Sequence, residues 1–362
     1  MKRSRAFSLF FIAFMATCGT ALSQEAKVNA KTLKEWADKA RDPNPAIRIR
    51  STFLIYSLIG SSGPKNTVSL IPVLSESLKD DDESVRRYAA WSLGRYGPLA
   101  KSAVPELIAV LKDPEPLVRV NACEALGLIG KDAKDAVPEF ERLLQDPEGF
   151  VRRAAAAALG QMGANAKPAV ASLQAATKDA QADVRQAAIL SLGQLGSSVS
   201  DSSKVIAEAF KDKEWTVRRS ALQVIIFFKG DIKNVVGSLV EALDDENLFV
   251  VDAASESLTF ASQSAPTLIT ALFDNPKPNV RYYAAYAFTL EPKNGKVAVP
   301  GLIKLLKDPE EKVKGRAITS LGVIGADARN ALPALRELAQ DANPRIQRRA
   351  QEAVRLIERK VK

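Results

Sequence analysis

The feature that most constrains this chain is a period. A Val-Arg or similar dipeptide returns along nearly all of it, with second residues Arg48, Arg86, Arg119, Arg152, Arg185, Arg218, Val251, Arg281, Lys314 and Gln347. The spacings are 38, 33, 33, 33, 33, 33, 30, 33 and 33 residues. A period in the range of about 20–50 residues marks a repeat architecture, in which one unit cannot bury its apolar face alone and must stack on the next. By length alone, 362 residues suggest two or three globular domains of ~100–200 residues each. The period replaces that picture with about ten units forming one elongated domain over residues 24–362.

Each unit is expected to be two helices. The first is plain in Ala103 to Lys112, where apolar residues recur at three- and four-residue steps, and the pattern returns from Ala136, Ala298 and Ala331. A proline sits near its start, as Pro72, Pro105, Pro138, Pro266, Pro300 and Pro333. There its missing N–H costs nothing, because first-turn N–H groups have no helical acceptor. A short turn follows, as in Asp113-Pro114, Asp146-Pro147 and Asp308-Pro309. The second helix runs through the Val-Arg pair into Ala-rich sequence. It often ends in Leu-Gly-x-x-Gly, as at Leu93 to Gly97, Leu126 to Gly130, Leu159 to Gly163, Leu192 to Gly196 and Leu321 to Gly325. The last glycine suits a left-handed helix end, and the small residues suit close helix packing. Thr32 to Glu35 has the form of a capping box opening the first helix. Gly60 to Pro64 reads as a longer loop after the first unit.

Six residues before the ten aligned positions stand Asp42, Asp80, Asp113, Asp146, Asp179, Asp212, Asp245, Asn275, Asp308 and Asp341. Asp42 with Arg48, Asp80 with Arg86, Asp113 with Arg119, Asp146 with Arg152, Asp179 with Arg185, Asp212 with Arg218 and Asp308 with Lys314 are candidates for a structural ladder. Each Asp and Arg could bond within a unit and to the neighbouring one. Partly buried charges need such pairing, so the ladder should set register more than add stability.

With these five elements recurring in register, residues 30 to 360 or so resemble the HEAT repeat family. The Ala-rich second helix ending Leu-Gly-x-x-Gly looks most like the bilin-lyase subclass of HEAT-like repeats. The resemblance implies an all-α, right-handed α-solenoid of about ten repeats, with second helices lining a concave face. It does not imply lyase activity, because most proteins with such repeats are binding scaffolds. Some HEAT-like enzymes are dinuclear iron hydroxylases relying on His-Glu motifs, and this chain has no His.

The lack of His also removes His–carboxylate acid–base pairs, Ser-His-Asp and Cys-His arrangements, and metal sites with imidazole ligands. No catalytic residue, metal or cofactor is expected. At 6% aromatic and 46% apolar residues, the composition suits close-packed helices.

The N-terminus reads as an address. Lys2, Arg3 and Arg5 precede an apolar run from Ala6 to Thr17, too short to span a bilayer at about 20 residues. Ala21-Leu22-Ser23 offers a cleavage site, giving a signal peptide over residues 1–23 and an exported protein, periplasmic or secreted. Met15 to Cys18 offers a lipid-attachment alternative, but Thr17 fits poorly directly before Cys18. Cleavage after Ser23 lowers the net charge from +9 to +6 and leaves Cys123 as a lone thiol, so no intramolecular disulfide is expected.

Function should then lie on the second helices. Counted from the aligned Arg, offsets −1, +3, +7 and +10 are small or apolar and should face the core. Offsets +1, +2, +5 and +9 vary and should be more exposed. They hold Arg87, Tyr88, Trp91 and Arg95 in the second unit, and Tyr282, Tyr283, Tyr286 and Leu290 in the eighth. Arg153, Arg219, Arg316, Arg348 and Arg349 occupy the first two offsets elsewhere. Tyr, Trp and Arg are enriched in binding hot spots, so Arg87, Tyr88, Trp91, Arg95, Arg153, Arg219, Tyr282, Tyr283 and Tyr286 are the candidate contacts. The bland alternative for the aromatics is gap filling between helices. Units six to eight break the pattern at Val251, Asn275 and Ile225 to Phe228, as a hinge, a bend, a binding region or simple drift.

An extended groove suits a protein or peptide segment better than a small molecule. The expectation is an exported, non-enzymatic scaffold for protein–protein interaction through its concave face. One alternative is a bilin-lyase-like chromophore-binding protein, which bilin titration would reveal. Another is a nucleic-acid-binding protein, which would show salt-dependent duplex binding. The mixing of acids with bases and the export signal weigh against the latter.

Overall fold

The computed structural model describes residues 29–196, 202–227 and 232–359. The signal peptide and Cys18 lie outside the described residues. The chain divides into two compact units, one ending at Leu107 and one running from Ile108. Helices alternate as first and second members of successive pairs. They are α1 (Ala30–Lys39), α2 (Pro45–Ser62), α3 (Ile71–Ser77), α4 (Glu83–Tyr96), α5 (Val104–Ala109), α6 (Pro116–Ile129), α7 (Val137–Leu143), α8 (Gly149–Gln161), α9 (Val170–Ala176), α10 (Ala182–Leu195), α11 (Ser202–Glu208), α12 (Trp215–Val224), α13 (Ile232–Ala242), α14 (Leu248–Ser264), α15 (Pro266–Thr270), α16 (Pro278–Leu290), α17 (Val299–Leu305), α18 (Glu311–Ile324), α19 (Leu332–Leu338) and α20 (Pro344–Arg359). Odd numbers are first helices and even numbers second helices. Within each unit the pairs stack as an α-solenoid, with second helix on second helix. No described helix is long and apolar enough to cross a membrane.

The core follows the expected offsets. Val85, Ala89, Leu93 and Tyr96 are buried, as are Val151, Ala155, Leu159 and Met162, and Val313, Ala317, Leu321 and Ile324. The Tyr96 hydroxyl donates to the Thr67 carbonyl at 2.8 Å. Burial pushes it up to about 12.

Both glycines of Leu-Gly-x-x-Gly have structural reasons. The last one takes positive φ, but with ψ far from the left-handed helical value: Gly130 has φ 74° and ψ −132°. That region is strained for any residue with a Cβ. The first one sits where helices touch. A Cβ on Gly160 would stand 3.0 Å from the Ser191 Cα, and one on Gly322 would stand 2.9 Å from the Ala353 Cα.

Two local expectations need correction. The first described helix starts at Ala30, and its cap is Asn29, whose side chain accepts the Thr32 N–H at 3.0 Å. Thr32 is therefore inside the first turn rather than capping it. Gly60, Ser61 and Ser62 belong to α2, which ends only at Gly63, with φ 82°. The apolar register of α2 carries the helix through Gly60.

Within each unit the Asp and Arg rows meet between successive repeats. Arg185 shows the full pattern. Its Nη1 donates to the carbonyls of Asp179 and Ala180 in its own turn, at 2.9 and 3.1 Å. Its Nε and Nη2 fork onto both oxygens of Asp212 in the next repeat, each at 2.7 Å. Asp212 in turn accepts the Glu214 N–H at 2.9 Å. Within a repeat the link thus runs through main-chain carbonyls, and the charge pair is made between repeats. Arg152 with Asp179, Arg218 with Asp245 and Arg281 with Asp308 repeat the fork in the larger unit, and Arg48 with Asp80 makes it in the smaller one. Arg86 holds its own turn through the carbonyls of Asp80 and Asp81. Asp42 and Asp113 accept the N–H two residues on, from Asn44 and Glu115. Arg119 reaches Asp146 through Nη2 alone at 2.9 Å, and its buried Nε has no partner. At the irregular repeat Val251 offers no guanidinium, yet Asn275 still accepts the Lys277 N–H at 2.9 Å. Asp341 keeps the same turn, from Asn343, and Lys314 makes no ion pair with it within 4.0 Å.

Asp80, Asp179, Asp212, Asp245 and Asp308 all sit below the usual carboxylate range. Burial pushes each up, but the arginine fork, the backbone N–H and the nearby positive charge together outweigh it. A carboxylate depressed on folding stabilises the protein above its unfolded pKa of about 3.9, and that contribution is lost as pH falls through the folded value. Stability should therefore hold from pH 7 to about 5 and decline below it. Urea midpoints across a pH series check this, and a flat profile down to pH 2 would refute it.

Candidate interaction face

The exposed sides of the second helices gather aromatic rings and guanidinium groups in each unit. In the smaller unit, Tyr56 of α2 stacks on Trp91 of α4 with centroids 3.9 Å apart. Arg95 lies 4.6 Å from the Tyr56 ring and donates to its hydroxyl at 3.0 Å. Gly60 leaves room for it, since a Cβ there would stand 2.8 Å from the Arg95 Nη2. Tyr88 meets Phe53 edge-on at 5.4 Å, and Arg87 lies 4.9 Å from the Tyr88 ring. Trp91 remains 38% exposed despite its stack.

In the larger unit, Tyr282 meets Tyr283 edge-on at 5.1 Å and lies parallel to Tyr286 at 6.4 Å. Arg316 of α18 covers both Tyr282 and Tyr286, at 4.8 and 4.4 Å, and donates to the Tyr282 hydroxyl. Burial pushes the Tyr283 hydroxyl above its ordinary value, with Tyr282 and Asp252 adding to the effect. A second cluster forms where Trp215 stacks on Phe249 at 5.5 Å with Arg219 5.9 Å from the Phe249 ring. Arg153 is exposed and lines an open groove of about 460 Å³ between α8 and α10, with Asp183, Gln186, Leu190 and Gln194.

The candidate contacts are thus spread over separate patches. Arg87, Tyr88, Trp91 and Arg95 come together; Tyr282, Tyr283 and Tyr286 come together; Arg153 and Arg219 stand apart from one another. The +2 offset is less open than expected, because Ala154, Ser220 and Ala253 there are buried. Long side chains such as Tyr88, Tyr283 and Arg316 reach out from it, and Asn121 and Ala187 there are half-buried. Sequence reasoning missed Phe53, Tyr56, Trp215 and Phe249. Phe53 stands at +5 of the first unit, the register of Trp91 and Tyr286, so its signal was present. Tyr56 at +8 and the first-turn residues Trp215 and Phe249 fall outside the counted offsets. Among the described residues no group of three or more Cys, Asp and Glu is placed to hold a metal ion. Cys123 is buried, and burial pushes its thiol up, away from reactivity.

Stacked helix pairs with a bonded polar edge and an aromatic, basic face define an all-α repeat scaffold. HEAT repeat models match residues 104–192, 170–259 and 265–355, and a further HEAT repeat model matches residues 70–100. The chain belongs to the HEAT repeat family. No curated protein matches it. Among solved structures it is similar to an engineered protein, with 18% identity and a TM-score of 0.53, over 90% of this chain and 98% of that one. It is also similar to the karyopherin Kap121p bound to the extreme C-terminus of the protein phosphatase Cdc14p, with 14% identity and a TM-score of 0.50. That match covers 93% of this chain and 42% of the karyopherin. At such identities the likeness is one of fold.

Proposed function

We propose that this chain is an exported HEAT-repeat scaffold, not an enzyme, that holds a segment of another protein against the concave face of its second helices. One observation carries the reading: Trp91 is stacked on Tyr56 yet still 38% exposed, with Arg95 beside it. A ring held by its neighbours loses little freedom on binding and presents a large amphipathic surface, as binding hot spots do. The Tyr282, Tyr286 and Arg316 cluster repeats this chemistry in the larger unit. Open grooves along helix faces favour an extended segment over a small molecule, which is better held in an enclosed pocket. The karyopherin relative was solved with a bound protein terminus. Export rests on the pattern of residues 1–23. Chromophore binding rests on Leu-Gly-x-x-Gly alone, and both glycines of that motif already have backbone and packing reasons.

Selection of a random displayed-peptide library on the purified chain tests the proposal. Enriched peptides should lose at least tenfold in affinity for Tyr56→Ala/Trp91→Ala or for Tyr282→Ala/Tyr286→Ala, with the helical circular dichroism unchanged. Peptides that bind both folded variants as well as wild type would place recognition away from this face.

A further inference from the structure

The last two second helices, α18 and α20, carry arginines that no carboxylate holds. Other cations of the larger unit are tied down, though among the described residues exposed ones such as Arg153 and Lys134 are not. The ladder arginines fork onto aspartates, Lys112, Lys178 and Lys211 reach Glu139, Glu208 and Glu241 of the following repeats, and Lys304 reaches Asp274 of the preceding one. Arg316, Arg348 and Arg349 make no ion pair within 4.0 Å among the described residues. Arg316 lies over Tyr282 and Tyr286, and its Nε is buried without a partner. Arg348 and Arg349 are exposed on α20. Arg348 donates only to the Pro344 carbonyl, at 3.2 Å. Arg349 lies down across α18, where a Cβ on Gly315 would stand 2.1 Å from its Nη1. Arg316 and Arg349 hold the same place in adjacent second helices, each two residues past the aligned position. The one acid in the patch, Glu352, is already engaged by Arg355 at 2.6 Å. Between α18 and α20 an open groove of about 230 Å³ is walled by Val323 and Leu356, with Arg348 and Arg349 on its rim.

Like charges gathered without counter-charges repel one another, and a buried guanidinium N–H without an acceptor is costly. An incoming anion relieves the first of these. Guanidinium groups are planar forks that match carboxylates two bonds at a time. The groove beside them takes an apolar side chain. We infer that this patch binds an acidic segment of a partner protein, its carboxylates on Arg316, Arg348 and Arg349 and one apolar side chain between Val323 and Leu356. The inference rests on the scaffold proposal and names the partner chemistry at one of its patches. A nucleic-acid strand fits less well. Its charge is continuous, and along the same unit the exposed faces turn acidic at Asp252 and Glu256 on α14. A short acidic segment ends before them.

The test uses the full chain and three fluorescein-labelled probes: a twelve-residue Asp/Glu peptide containing Leu and Phe, its Asn/Gln counterpart, and a single-stranded DNA of equal length. Anisotropy should show the acidic peptide binding with an affinity that falls as salt rises. Arg348→Glu/Arg349→Glu and, separately, Arg316→Gln should weaken it at least tenfold. Lys134→Glu, an exposed charge on another repeat, should leave it unchanged. Equal binding of the Asn/Gln peptide, tighter binding of the DNA, or undiminished binding by the double charge reversal would each overturn the inference. Library peptides that depend on the aromatic face yet carry no acids would overturn it too, while leaving the scaffold proposal standing.

Discussion

Replacing Arg152 with alanine should destabilise the stack by about 2–4 kcal/mol, the range expected when one partner of a largely buried ion pair is removed. The side chains of Arg152 and Asp179 are 14% and 12% exposed. The guanidinium supplies four hydrogen bonds: 2.7 and 2.9 Å to the two Asp179 oxygens, and 2.8 and 3.1 Å to the carbonyls of Asp146 and Pro147. Without it, Asp179 keeps only the Gln181 N–H at 2.8 Å, and a negative charge remains in a poorly hydrated place. The molecule itself indicates the remedy. At Val251 and Asn275 the guanidinium and the charge are both missing, and the turn survives through the amide oxygen. Arg152→Ala/Asp179→Asn should therefore recover part of the loss. Repeat arrays need not unfold in one step. Hydrogen exchange followed by mass spectrometry is thus the better measurement, with protection falling first in α8 to α10. Exchange and melting unchanged from wild type would show that the ladder contributes nothing.

Gly322→Ala should also destabilise, by about 1–3 kcal/mol, although alanine is the better helix former by about 1 kcal/mol. The new methyl would stand 2.9 Å from the Ala353 Cα and 3.1 Å from its Cβ. Neither atom can rotate away, so α18 and α20 must separate. Gly237→Ala in α13 makes the opposite case. No atom lies within 4 Å of the new Cβ there, and the substitution should stabilise by roughly 0.5–1 kcal/mol. Chemical denaturation of the two variants side by side reads the difference in sign. A stabilised Gly322→Ala would mean that the helices approach less closely than the structure has them.

The period, the helix pairs and the register of the core could be read from single residues and their spacing. They are local properties: a proline tolerated in a first turn, an aspartate that caps its own turn, and apolar residues returning on one helical face. The rows of Asp and Arg were visible for the same reason. Their bonding was not, because a fork 27 residues long in sequence exists only once repeats stack. The aromatic patches were half visible. Trp91 and Tyr286 declare themselves by type and offset. Tyr56 acquires its meaning only from Trp91 on the neighbouring helix, and Arg316 only from Tyr282 and Tyr286.

By itself, then, the sequence determined the repeat, the two-helix unit and the composition of the face, since each is encoded within about 33 residues. Only the tertiary structure decided which glycine is a turn and which a contact, which cations are paired, and which arginines are left on the surface facing no acid. Those properties depend on distances between repeats, and the packing of small residues between helices sets those distances.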